Sequence, residues 1–119
     1  MVTSLERAAS PTLLAALFHG LADPARLSCL LSLRDRPRMV GDIVALTGLS
    51  QPNVSKHLAC LRACGLVRAE RHGRFVSYSL SDAGVAGVLD AAEALLARVG
   101  PAVDACPTYG RRRGSDRAS

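Results

Sequence analysis

The sequence predicts a mainly α fold with a β-hairpin wing: a winged helix-turn-helix that forms a dimer through its first and last helices. Three observations carry this. Two short helical patterns meet at a turn around Gly48, a basic alternating stretch follows them directly, and Leu- and Val-rich helical patterns stand near both ends. Composition agrees, because about half of the residues are apolar while only 3% are aromatic, so the core is built from Leu, Val and Ala. A chain of 119 residues supports one such core and not two.

Function classes narrow from the same numbers. A net charge of +5 and a pI near 9.6 favour a polyanionic partner. No apolar run approaches the roughly 20 residues that span a bilayer, and the start M-V-T-S-L-E-R lacks the features of a signal peptide, which predicts a cytoplasmic protein with no membrane partner. In that setting Cys29, Cys60, Cys64 and Cys106 point to metal binding, redox sensing or packing rather than to a disulfide framework. There is no C-x-x-C motif, no glycine-rich phosphate loop and no base–nucleophile constellation, so the chain is not read as an enzyme.

Residues 1–10 read as a flexible lead-in to the folded body, residues 11–102. Leu13, Leu14, Leu17, Phe18 and Leu21 recur at helical spacing, and the helix ends near Gly20. Its apolar stripe is wide for so small a domain, so part of it is expected at a subunit interface. Asp23-Pro24, an N-cap followed by proline, opens a helix buried through Leu27, Leu30, Leu31 and Leu33, in which Cys29 is a small packing residue. Residues 34–38 (R-D-R-P-R) form a charged turn, and Val40, Ile43, Val44 and Leu46 a short helix that stops at Gly48.

The next helix organises the chain. Ser50 caps it, Pro52 occupies its first turn and Gly65 stops it. At about 100° per residue Val54, Leu58 and Leu61 form a core anchor. Gln51, Pro52, Ser55, Lys56 and Ala59 lie roughly opposite, and Asn53, His57, Cys60 and Cys64 take a third side. Two short helices joined in this way have the form of a DNA-binding helix-turn-helix, the alternative being an ordinary αα-hairpin. The alternation in residues 66–80 then predicts a β-hairpin turning at His72-Gly73, with Arg68, Arg71, His72 and Arg74 at and beside its tip. In this context the basic tip reads as a wing over phosphates rather than as a solvated turn. Gln51, Ser55 and Lys56 on the helix and Arg71, His72 and Arg74 on the wing are the candidate contacts to double-stranded operator DNA.

Ser81-Asp82 is predicted to cap a last helix whose broad apolar face runs from Val85 to Val99, with Gly100-Pro101 ending it. Surplus apolar surface on the first and last helices predicts a homodimer, whose two-fold axis would match a palindromic operator. The tail, residues 103–119, loses periodicity. It holds Cys106 at an ordered base and is expected to be flexible from about Tyr109, with the R-R-R run at 111–113 either solvated or adding nonspecific phosphate attraction.

The runs A-D-P-A-R-L, S-Q-P-N-V-S-K-H-L-A-C-L-R-A-C-G-L-V and G-R-F-V-S-Y-S-L resemble the ArsR/SmtB winged-helix repressors, from about Leu14 to Val99. The L-x-C-L-R-x-C-G-L-V stretch is similar to that of the narrower CmtR type, the cadmium/lead sensors. That resemblance implies two thiolates from the recognition helix, here Cys60 and Cys64, and a third from the partner's tail, which Cys106 matches by position. The C-V-C pair of familiar arsenic sensors has no counterpart in residues 38–46, and the Asp/His pattern of zinc, cobalt and nickel sensors is absent from the last helix.

Thiols at i and i+4 project from one helix face and suit soft, polarisable ions. Three sulfurs favour cadmium, lead or trivalent arsenic over tetrahedral zinc, which would want a fourth ligand; His57 is a candidate for that role, or for a phosphate or packing contact. The expected function is a repressor that binds its operator as the apo-dimer and is released by such an ion. The alternative is a repressor that senses thiol oxidation with the same cysteines and no metal.

Overall fold

The computed structural model describes residues 10–110. Of the start predicted to be flexible, residues 1–10, all but Ser10 lie outside the described residues, as do the R-R-R run and the rest of the tail, residues 111–119. The chain divides into two compact units, Met1–Asp82 and Ala83–Ser119.

In the first unit the helices opened by Asp23-Pro24 and by Ser50 begin where the sequence placed them. Ser10 Oγ accepts the Leu13 N–H at 3.0 Å and opens α1 (Pro11–Gly20), with Pro11 in the first turn. Asp23 Oδ2 accepts the Arg26 N–H at 2.8 Å and opens α2 (Pro24–Ser32). Residues 34–37 turn, and Arg38–Met39 forms β1, a short strand in what the sequence presented only as a charged turn. Helix α3 (Val40–Thr47) follows, with the Met39 N–H donating to Asp42 Oδ2 at 3.1 Å.

Helix α4 (Gln51–Ala63) starts at Ser50, whose hydroxyl accepts the Asn53 N–H at 3.3 Å. It closes in a Schellman motif: the Leu66 N–H donates to Leu61 O and the Gly65 N–H to Arg62 O, at 3.0 and 3.1 Å. Gly65 takes φ +81°, a conformation that a Cβ would strain. Ser81 reinforces this end, donating its hydroxyl to Gly65 O at 2.6 Å and its N–H to Leu66 O at 3.0 Å. Ser81 therefore braces the recognition helix, where the sequence suggested a cap for the last one.

The hairpin pairs β2 (Val67–His72) with β3 (Phe75–Leu80), His72 facing Phe75 and Val67 facing Leu80. Its two-residue loop is Gly73-Arg74, one position beyond the predicted His72-Gly73. Gly73 has φ +64° and, among the described residues, no non-glycine residue has a positive φ, the pattern of a type II′ turn with glycine first. β1 pairs antiparallel with β3, so the sheet order is β1-β3-β2. The core is aliphatic: Leu30 and Leu33 from the α2 segment, Ile43 from α3, Val54, Leu58 and Leu61 from α4, and Val67 from β2, with Cys29 among them. Helix α2 packs on α3 and α4, and α4 packs on α2, α3 and β2.

In the second unit α5 spans Ala83–Asp104 and does not stop at Gly100-Pro101. Proline's fixed φ is itself helical, and the clash it imposes on the preceding residue is relieved where that residue, Gly100, has no Cβ. The ladder resumes beyond it, with Ala105 N–H donating to Pro101 O at 3.0 Å.

Candidate nucleic-acid interface and thiol pair

Burial of Val54, Leu58 and Leu61 fixes the roll of α4, and everything else on that helix follows from it. Gln51, Ser55 and Lys56 are exposed on the side away from the core, at the helix's N-terminal half. Arg71, His72 and Arg74 are exposed at the end of the hairpin. All six predicted contacts thus lie on solvent-facing surface of the first unit.

The wing is less uniform than its sequence suggested. Side chains alternate across a strand, so Arg68, Glu70 and His72 share one face and Arg71 takes the other. His72 Nε2 lies 3.0 Å from Ser77 Oγ and 4.0 Å from Glu70 Oε1, which ties the imidazole to its own hairpin. Arg71 donates to Gly73 O across the loop at 3.2 Å. Arg74 stands in the loop itself, and Phe75 beside it is 61% exposed.

Cys60 and Cys64 are exposed on consecutive turns; Cys64, the C-cap, donates its N–H to Cys60 O at 3.0 Å, so helical geometry persists across the pair. No disulfide joins any of the four cysteines. Two reduced thiols at this spacing fit two positions of a soft-ion site. His57 is placed apart from that role: its side chain is only 12% exposed and Nε2 lies 3.8 Å from Asp23 Oδ2, the carboxylate that caps α2. This contact has no local sequence signal.

Cys106 belongs to the second unit, in the turn after α5. Its N–H donates to Val103 O at 3.1 Å, and its carbonyl accepts the Gly110 N–H at 2.9 Å. Gly110 is buried there, and a Cβ on it would run into Asp104 O and come within 2.6 Å of Cys106 O. Among the described residues no group of three or more His, Cys, Asp or Glu side chains is gathered around a position for one ion.

Cys29 is fully buried, and burial, with a smaller contribution from the Asp23 charge, raises its thiol pKa above the ordinary value. A protonated, inaccessible thiol is neither ligand nor nucleophile. In the native protein iodoacetamide is therefore expected to modify Cys60 and Cys64 well before Cys29, as read by peptide mass spectrometry. Modification of Cys29 at the same rate would contradict its packing role.

Comparison with known proteins agrees with this architecture. Residues 23–69 match the family described as "Bacterial regulatory protein, arsR family". The chain is 40% identical to a probable mercury resistance operon repressor of Streptomyces lividans, over 87% of this chain and 85% of that protein. It is 47% identical to the HTH-type transcriptional regulator CmtR of Mycobacterium tuberculosis over 64% of each chain. The NMR structure of that protein, a cadmium metal-sensor, aligns with a TM-score of 0.57 at 45% identity over 65% of this chain and 80% of that one. The crystal structure of Rv0081 from Mycobacterium tuberculosis gives a TM-score of 0.70 at 34% identity, covering 93% of this chain and all of that one. The fold is a winged helix-turn-helix, of a kind that serves DNA-binding transcriptional regulation rather than catalysis, and the chain belongs to the arsR family of bacterial regulatory proteins.

Proposed function

We propose that this protein is a metal-responsive transcriptional repressor that binds a palindromic operator as an apo-homodimer and is released by a thiophilic ion. The observation that carries this reading is the division of α4: one helix presents Gln51, Ser55 and Lys56 at its exposed N-terminal half and two reduced thiols, Cys60 and Cys64, at its C-terminal end. Cys60 and Cys64 would hold the ion, with Cys106 as third ligand. Cadmium and lead suit three thiolates, arsenite suits them too, and the relative named for mercury resistance adds a fourth soft candidate. When bound, such an ion supplies sulfur affinity strong enough to tie the reading helix to the tail.

Support for the dimer comes from each unit separately. Helix α1 has no buried residue, and Leu13, Leu14 and Phe18 are exposed on it. On α5, Val88, Leu95, Leu96, Val99 and Val103 form an exposed stripe at helical spacing. Surfaces of this kind mark partner contacts, and the partner that satisfies a palindrome is a second copy.

Coupling follows from linkage. A ligand that bridges the reading helix and the tail biases the helix's placement, and whatever factor it removes from operator affinity, operator binding removes from ion affinity. The test is fluorescence anisotropy on promoter DNA selected from genomic fragments by the apo-protein, with and without cadmium. Operator binding that one ion per subunit releases supports the proposal; indifference to cadmium, lead, arsenite and mercury contradicts it. Within the same assay Lys56→Ala and Arg74→Ala are each expected to weaken binding and to flatten the log–log salt dependence by about 1, as for loss of one phosphate contact. Unchanged slopes would remove those residues from the interface.

A further inference from the structure

We propose that Gly110 is a positioning residue for Cys106: it closes residues 106–110 into a backbone turn that holds the thiol in place before any ion arrives. This rests on the reading that Cys106 supplies the third sulfur, and it says what makes that sulfur available.

The turn follows directly on α5. The Ala105 N–H donates to Pro101 O and the Cys106 N–H to Val103 O, so helical bonding carries up to the cysteine. Four residues later the chain folds back: the Gly110 N–H donates to Cys106 O at 2.9 Å, and Gly110 is buried. Pro107, Thr108 and Tyr109 between them are exposed, Tyr109 by 84%. The closure therefore rests on backbone against backbone, at the one residue of the turn without a side chain.

A Cβ at Gly110 has no room. It would run into Asp104 O and lie 2.6 Å from Cys106 O and 2.9 Å from Asp104 C, all backbone atoms that cannot swing aside as the end of a side chain can. The φ of Gly110 is not positive, so the requirement is one of space and not of backbone handedness. Even alanine must therefore open the turn. An open turn leaves Cys106 in the chain but no longer held, and capture of an ion by it then has to order backbone that the wild type holds already. Preorganisation of this kind changes affinity without changing which atoms bind.

The test uses the full-length protein with cadmium as the probe, in wild type, Gly110→Ala, Tyr109→Ala, Cys106→Ser and the Gly110→Ala, Cys106→Ser double variant. Before cadmium is added, hydrogen exchange read by NMR is expected to show the residue-110 amide protected in the wild type and exchanging as in an open chain in Gly110→Ala. Gly110→Ala is then expected to lower cadmium affinity about tenfold, the cost of ordering roughly one residue's backbone. At saturating cadmium its thiolate charge-transfer band still reaches wild-type intensity, because the sulfur is present. Cys106→Ser, which lacks that sulfur, keeps a reduced band at any cadmium concentration. Tyr109→Ala behaves as the wild type. In the Cys106→Ser background Gly110→Ala has no further effect on affinity, because the glycine acts through the thiol. An unprotected amide in the wild type, wild-type affinity in Gly110→Ala, or an equal loss with and without Cys106 would overturn the proposal. If Cys106→Ser itself binds cadmium as the wild type does, the third-ligand reading fails and this one with it; if Cys106→Ser weakens binding and Gly110→Ala does not, this proposal alone fails.

Discussion

A Cys60→Ser, Cys64→Ser double variant is expected to bind operator as tightly as the wild type and to remain bound when cadmium is added. The two halves of that result have separate physical origins. Neither thiol is in the core, since both are exposed, and serine is nearly isosteric, so the fold and the reading surface at Gln51, Ser55 and Lys56 persist. The release, by contrast, is lost entirely, because the helix then lacks its soft ligands. Couplings between linked sites run at about 1–3 kcal/mol, or 5- to 150-fold in affinity, so the wild-type protein is expected to show a change of that order and the variant none. Anisotropy titrations on the same operator, with and without cadmium, read both quantities. A variant still released by cadmium would contradict the account; one that fails to bind DNA at all would show that the thiols serve the fold.

The second large effect is on stability. Leu58 is 1% exposed and stands between Val54 and Leu61 in the anchor of α4. Leu58→Ala removes buried methyl groups and leaves a cavity, which costs about 2–5 kcal/mol in aliphatic cores. Against a total of about 5–15 kcal/mol for a typical domain, that is a large fraction. Urea denaturation at fixed protein concentration is expected to show a strongly lowered midpoint, with operator binding lost in parallel. Leu46, on α3 and 56% exposed, is the control: Leu46→Ala is expected to shift stability by no more than about 0.5 kcal/mol. Equal effects at the two positions would mean that the roll assigned to α4 is wrong.

The recognition helix was legible in the sequence because its signals are local. Ser50, Pro52 and Gly65 are cap and stop residues, and the spacing of Val54, Leu58 and Leu61 alone defines the buried side. The hairpin was legible from alternation, although its loop sits one residue later than read, because Gly73 takes the first loop position and not the second. What escaped the sequence depends on partners distant in the chain. β1 is two residues long, too short for any alternation, and exists through its pairing with Tyr78 and Ser77. Ser81 looks like a helix cap next to Asp82, yet its hydroxyl reaches back to Gly65. Gly100-Pro101 reads as a stop signal, yet the helix runs on to Asp104; proline's φ is itself helical, and Gly100 has no Cβ to add to the crowding before it.

The candidate site divides along the same line. Cys60 and Cys64 were legible as a pair because i and i+4 on a helix is a local relation. His57 looked like their neighbour on the wheel, but its largely buried ring meets Asp23, a residue of another helix's cap. The reading of Cys106 came from resemblance and from position in the tail. Gly110, which folds back on the Cys106 carbonyl, had no signal at all, since its importance lies in what a Cβ would strike.

The account turns on three thiols acting as one site that controls DNA binding. The most direct measurement is a cadmium titration followed by ultraviolet absorption, in wild type and Cys106→Ser, with operator anisotropy recorded on the same samples. The account predicts a sulfur-to-metal charge-transfer band that saturates at one ion per subunit, coincides with DNA release, and is weakened together with release in Cys106→Ser. No band, or a full band that leaves the operator bound, would contradict it.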